Sequence, residues 1–176
     1  MPKILSVIGR KGSGKSQALE EIIAFLSQKG HRVGVIKRLA KDDMEIDQPG
    51  KDTFRYRIRG AETVMLAGRK RLAVFSDLPR EIPLETLLLS FKDFDLVFLE
   101  DYILEHVPAL EIYRKESGEP PFSLSLKQVF AVCADVPVSH GPAHFSLREF
   151  PRLVALIEEK FLSRYTMPPS KEMACA

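Results

Sequence analysis

The chain has 176 residues, with 26 Lys and Arg against 24 Asp and Glu, two Cys, no Trp and no Asn. That length suits one domain with a real core, burying roughly 70% of its unfolded surface, and 45% hydrophobic residues argue against disorder. Two Cys exclude a disulfide scaffold, the apolar runs fall short of the roughly 18 residues of a membrane helix, and the lack of Asn removes any N-glycosylation acceptor.

In chain order, Met1-Pro2-Lys3-Ile4 leads straight into an apolar run, Ile4–Ile8, with no signal-peptide pattern, and the run ends at Gly9 as a buried parallel strand does. Leu19, Ile22, Ile23 and Leu26 set a helix over 15–28, and Gly30 lies at the C-cap. Val33–Ile36 reads as a strand, 38–51 as a polar loop, and 53–59 as a short helix capped by Asp52 and stopped by Gly60. Thr63–Leu66 and Leu72–Phe75 read as strands joined by the basic turn Gly68–Arg71, and Leu84–Phe91 as a helix. Leu96–Leu99 is a buried strand, and Leu110–Tyr113 alternates like a strand nearer an edge. Val129–Ala134 is another buried strand, with long loops at 114–126 and 136–145. An amphipathic helix over 146–163 closes the chain. The expected organisation is one nucleotide-binding domain, 1–165, and a flexible tail, 166–176. Strands alternating with helices predict an α/β fold with a largely parallel sheet.

Charge is unevenly spread. Residues 29–71 hold twelve basic and six acidic side chains, and residues 81–120 hold three and ten. The first block either faces an anion or is a solvated surface.

Gly9-Arg10-Lys11-Gly12-Ser13-Gly14-Lys15-Ser16 fits G-x-x-x-x-G-K-[ST] at every fixed position, between a buried strand and an amphipathic helix. Glycines let the backbone turn its N–H groups inward, and the helix N-terminus adds partial positive charge. Gly9, Gly12, Ser13, Gly14, Lys15, Ser16 and Gln17 are therefore expected to bind nucleotide, with Lys15 on the β/γ-phosphates and Ser16 on Mg²⁺. Gln17, standing where a dinucleotide fingerprint needs Gly or Ala, excludes that alternative. The metal needs an acid at a neighbouring strand end. Glu100 and Asp101 follow Leu99, and Glu100 is the better placed. The acid-rich loop 42–53 is either a switch-like segment or a solvated loop. Asp135, after a buried strand, either accepts from guanine N1–H and N2–H₂ or forms a turn before Val136-Pro137. The Asn-Lys-x-Asp guanine reader is excluded, because the chain has no Asn.

The phosphate loop, Val35-Ile36-Lys37, and Asp43–Thr53 with its Asp47-Gln48-Pro49-Gly50-Lys51-Asp52-Thr53 core, running into Arg57 and Gly60-Ala61, together resemble the MobB family. These are GTP-binding adaptor proteins of molybdopterin guanine dinucleotide biosynthesis. Asp95–Glu100, Glu111–Arg114 and Ala134–Pro137 follow in the family's order, so the likeness covers about residues 3–162. The resemblance implies a dimeric P-loop protein that binds GTP and Mg²⁺ and is at most a slow GTPase. It also implies the molybdenum cofactor guanylyltransferase as partner, with molybdopterin, in the cytoplasm. Lys15 and Ser16 take the phosphate and Mg²⁺ roles, Glu100 the strand-end acid, and Asp47 and Asp52, with Lys15, the catalytic positions. No nucleic acid or membrane partner is expected. The chain departs from the family at Arg38–Lys41, where His is usual, at Ala109, where Lys is frequent, and at Asp101, where Gly is usual. Other readings are a P-loop small-molecule kinase, which the lack of an Arg-rich lid at 114–126 disfavours, and a nucleotide-binding regulator without turnover. A GTP-dependent metal-insertion chaperone would require Cys/His ligands. The four His lack zinc spacing, and Cys133 reads as a packed thiol.

Overall fold

A computed structural model describes residues 1–39, 47–137 and 142–162. Much of the acid-rich loop, His140 and the expected tail, with Cys175, lie outside them. The chain divides into two compact units, residues 1–38 with those from 91 onward, and residues 39–90.

The first unit is a six-stranded, all-parallel sheet. Its strands are β1 (Lys3–Ile8), β2 (Val33–Lys37), β5 (Leu96–Glu100), β6 (Ala109–Tyr113), β7 (Val129–Ala134) and β8 (Ala143–Ser146), in the order β2-β5-β1-β6-β7-β8. The helices α1 (Lys15–Gln28) and α4 (Phe150–Ile157) cover one face. Ala18, Leu19, Ile22 and Leu26, which share one face of α1, meet Leu5, Val7, Phe98 and Ile112 of the strands, with Leu153, Val154 and Ile157 of α4 in the same cluster. Ile8, Val129 and Val132 form a second cluster with Phe122 and Leu126. The fold is thus the expected α/β, P-loop-NTPase-like sheet flanked by helices. β1 and α1 follow the apolar pattern closely. Past α1, His31 N–H donates to the Leu26 carbonyl at 3.1 Å and Gly30 N–H to that of Ser27 at 3.0 Å. This paired arrangement satisfies carbonyls that a helix end leaves free. Among the described residues, no helix is long and apolar enough to cross a membrane.

The second unit holds α2 (Asp52–Arg57), the antiparallel hairpin of β3 (Thr63–Ala67) and β4 (Leu72–Ser76), and α3 (Leu84–Leu88). Arg57 ties α2 to the segment after the hairpin, bonding Asp77 Oδ1 at 2.6 Å.

Several expectations need correcting. Asp52 is the first residue of α2, not its cap. Lys51 occupies the cap position with extended backbone, and the Asp52 carboxylate pairs with Arg55 at 3.4 Å. The helix expected over 84–91 ends at Leu88 and tightens into a 3-10 turn, Leu89–Phe91. The closing helix begins at Phe150 and runs on through a π-helical turn, Glu158–Leu162. Ala143–Ser146 is an edge strand on β7, not loop. β6 is interior, between β1 and β7. Its misleading alternation comes from Glu111, which is buried, not solvent-facing. The Glu111 carboxylate accepts from the Phe122 N–H at 2.6 Å and the Ser123 N–H at 2.8 Å, at the start of the 3-10 turn Phe122–Leu124. A buried carboxylate is tolerated when backbone donors satisfy it.

Glu111→Ala removes both acceptors and leaves two backbone donors unpaired. It should lower unfolding stability in urea by about 2 kcal/mol or more; an unchanged midpoint would mean that the 118–126 segment is anchored elsewhere.

Candidate functional site

β1 is buried and central, and it delivers the chain to Gly9 at its C-terminal end, where ligands gather in open parallel sheets. Gly9 presses on the neighbouring strand: a Cβ there would lie 2.3 Å from the Ile112 carbonyl oxygen. No other residue fits that approach. The loop closes through Ser13 N–H to the Arg10 carbonyl at 3.1 Å and reaches α1 through Gly14, whose φ of 87° is left-handed. No side chain caps α1, so its first N–H groups keep their capacity for an anion. Around this turn lie buried polar atoms without partners among the described residues: Ser13 Oγ, Arg10 Nε and Arg114 Nε. Unpartnered polar atoms beside a helix N-terminus suit the binding of an anion.

Beside the loop stands an acidic pair. Glu100 ends β5, in register with Val7 on one side and Lys37 on the other. It is buried, and Oε1 accepts from Ser16 Oγ at 2.7 Å and Lys37 Nζ at 3.1 Å. The hydroxyl and the carboxylate are both hard oxygen donors, one hydrogen bond apart. That pair fits Mg²⁺, which needs only one or two protein oxygens and keeps waters.

Asp101 has φ 65°, the left-handed region that β-carbon-bearing residues rarely adopt, and its N–H donates to the Val7 carbonyl at 3.2 Å. Its carboxylate stands 3.3 Å from Lys15 Nζ, which also donates to the Gly9 carbonyl at 2.9 Å and the Arg10 carbonyl at 3.1 Å. The loop lysine is thus held over its own loop and partly neutralised by Asp101.

Gly9–Gln17, Glu100 and Asp135 belong to one unit. Asp135 lies just past β7, and its Oδ1 accepts from the Lys115 N–H at 3.1 Å. Arg10 stacks 4.1 Å from the Phe122 ring centroid and pairs with Glu119 at 2.9 Å, linking the loop to the segment that Glu111 anchors. Asp47 and Asp52 belong to the other unit. Asp47 is buried, and its Oδ1 accepts from Thr53 Oγ1 at 2.8 Å and the Gln48 N–H at 2.9 Å, with Arg57 at 3.8 Å from Oδ2. Asp52 is exposed. Burial pushes the Cys133 thiol up to about 12, so it is a packed, unreactive group.

Sequence reasoning gave no role to Lys37, Arg114 or Glu111. Lys37 carries a faint signal, a cation closing an apolar strand. Arg114 carries none, because its place beside Gly14 is set by sheet order.

Asp101→Gly relieves the left-handed backbone, whereas Asp101→Ala retains the strain and loses the side chain's polar contacts. Urea unfolding should place the glycine variant about 1 kcal/mol above the alanine variant; equal stability would mean that the backbone there is unstrained.

The family model of molybdopterin guanine dinucleotide synthesis protein B, MobB, matches residues 4–135. The molybdopterin-guanine dinucleotide biosynthesis adapter protein of Haemophilus influenzae is 30% identical over 157 residues, 88% of this chain and 87% of that one. Its Escherichia coli counterpart is 29% identical over 164 residues, 90% and 93% of the two chains. The crystal structure of Bacillus subtilis MobB superposes with a TM-score of 0.70 at 23% identity, covering 90% of this chain and 98% of that one, a likeness of fold. With a family match across most of the chain, on a strand–loop–helix turn backed by a strand-end acid, this chain belongs to the MobB family.

Proposed function

We propose that the chain is an adapter of molybdopterin guanine dinucleotide biosynthesis that binds GTP·Mg²⁺, turns it over slowly if at all, and assists the molybdenum cofactor guanylyltransferase in the cytoplasm. The observation that carries the nucleotide reading is the Ser16 Oγ to Glu100 Oε1 hydrogen bond of 2.7 Å beside an uncapped helix N-terminus. The adapter role is supported by the names of the relatives in Haemophilus influenzae and Escherichia coli.

In this reading Gly9, Gly12, Ser13, Gly14, Lys15, Ser16 and Gln17 hold the phosphates, while Ser16 and Glu100 hold the metal. When bound, Mg²⁺ neutralises phosphate charge and orients the phosphate chain. Lys15 exchanges Asp101 and the Gly9 and Arg10 carbonyls for phosphate oxygens. Asp135 reads guanine with carboxylate capacity beyond its one bond to Lys115 N–H, and molybdopterin is met through the partner enzyme. Asp47 and Asp52 serve as acids of the switch-like loop. Asp47 acts by holding that loop's end, since Thr53, Gln48 and Arg57 already engage its carboxylate.

Turnover is slow because Asp101 sets a negative charge beside Lys15, where phosphate charge builds up, and like charges at short range are costly. The same contact favours a second reading, a nucleotide-binding regulator without hydrolysis. A kinase lid is not supported by the 114–126 segment, which Glu111 ties to the sheet. A homodimer is supported by the hairpin β3–β4, which leaves Met65, Leu66, Leu72 and Val74 exposed.

Lys15→Ala should abolish GTP binding in calorimetry, and undiminished affinity would sink the nucleotide reading. Glu100→Gln should weaken GTP binding roughly tenfold with Mg²⁺ and far less in chelator; equal losses would reassign the metal acid.

A further inference from the structure

The cations around the phosphate loop are not equally compensated. Lys15 has Asp101 at 3.3 Å, Lys37 has Glu100 at 3.1 Å, and Arg10 has Glu119 at 2.9 Å. Arg114 has no ion pair among the described residues, and its Nε is buried without a hydrogen-bond partner. Its guanidinium lies against the last glycine of the loop: a methyl group on Gly14 would meet Nη2 at 3.3 Å and Nε at 3.5 Å. Gly14 is where α1 begins, so a permanent positive charge is held at the positive end of a helix. That arrangement is unfavourable for the chain alone, since neither charge nor dipole is balanced and a buried donor goes unused.

The backbone fixes Arg114 in this place. It follows β6 directly, the strand beside β1. Its carbonyl accepts from the Ser117 N–H at 3.0 Å, and the next N–H, of Lys115, donates to Asp135 at 3.1 Å. The side chain therefore springs from an anchored point between two ordered strand ends.

From these observations the geometry points to Arg114 as a second phosphate-binding cation of the site, donating from its planar fork to an oxygen of the nucleotide's phosphate chain at the N-terminus of α1. This rests on the nucleotide reading above and adds to it a ligand outside the loop motif. The bound anion balances both the guanidinium and the helix end, so Arg114 contributes affinity in the complex and nothing to stability without ligand.

The test titrates GTP·Mg²⁺ and, separately, inorganic tripolyphosphate into the full chain, wild type, R114Q and R114K, and measures melting temperatures without ligand. R114Q should bind both ligands roughly 10- to 100-fold more weakly, the range for hydrogen bonds to charged groups. R114K, keeping the charge and losing the fork, should fall between. The unliganded R114Q protein should melt at or above the wild-type temperature. Wild-type GTP binding retained within twofold in R114Q overturns the inference and leaves the nucleotide reading intact. So does a loss of affinity accompanied by a lower melting temperature, which would make Arg114 a packing residue. If the wild type binds tripolyphosphate but not GTP, the nucleotide reading fails, and a loss of tripolyphosphate in R114Q still upholds Arg114 as a phosphate ligand. Should R114Q not fold, the inference stands or falls on whether R114K binds tripolyphosphate more weakly.

Discussion

One carboxylate oxygen joins the parts of the candidate site. Glu100 Oε1 accepts from the Ser16 hydroxyl, at the start of α1, and from the Lys37 ammonium, at the end of β2. It can reach both because β5 lies between β1 and β2 in the sheet, with Val7, Glu100 and Lys37 in register across the three strands. A buried carboxylate is costly unless donors satisfy it. Here the two donors are a lysine and the residue whose motif position calls for a metal ligand. The arrangement holds the acid oriented while Ser16 stays one hydrogen bond away.

The same logic of compensation runs around the phosphate loop. The near-neutral composition hides local pairing: Lys15 with Asp101, Arg10 with Glu119, Lys37 with Glu100. Asp101 sits in left-handed backbone to make its contact. Strained residues cluster where function demands a particular geometry, and this one sets a carboxylate against the loop lysine. In the proposed function this separates anion affinity from turnover: the loop and the uncapped helix end would favour binding, and Asp101 would oppose the charge that hydrolysis develops. Among the described residues Arg114, unlike these three, has no ion pair, and its Nε is buried without a hydrogen-bond partner.

Much of this was legible in the sequence because it is local. Periodic apolar residues set β1 and α1, and the phosphate motif lies between them in eight consecutive residues. Glu100 was legible because an acid at the end of an apolar strand has few other reasons to be there. What escaped depends on distant partners. The burial of Glu111 is compensated by N–H groups eleven and twelve residues on, so β6 resembled an edge strand. β8 is four residues long and includes His144, and its strand character comes from β7 beside it. Asp52 looked like a cap because Asp often is one, but Lys51 holds the extended position and Asp52 is left to pair with Arg55. Arg114 became visible only when sheet order set β6 beside β1.

The most direct test of the account titrates the wild-type chain with GTP and with ATP, each in Mg²⁺ and in chelator. The account predicts saturable, Mg²⁺-strengthened binding of GTP in preference to ATP, with little or no turnover in the absence of any acceptor. No nucleotide binding, or preferred binding of ATP with turnover that requires a small-molecule acceptor, would contradict it.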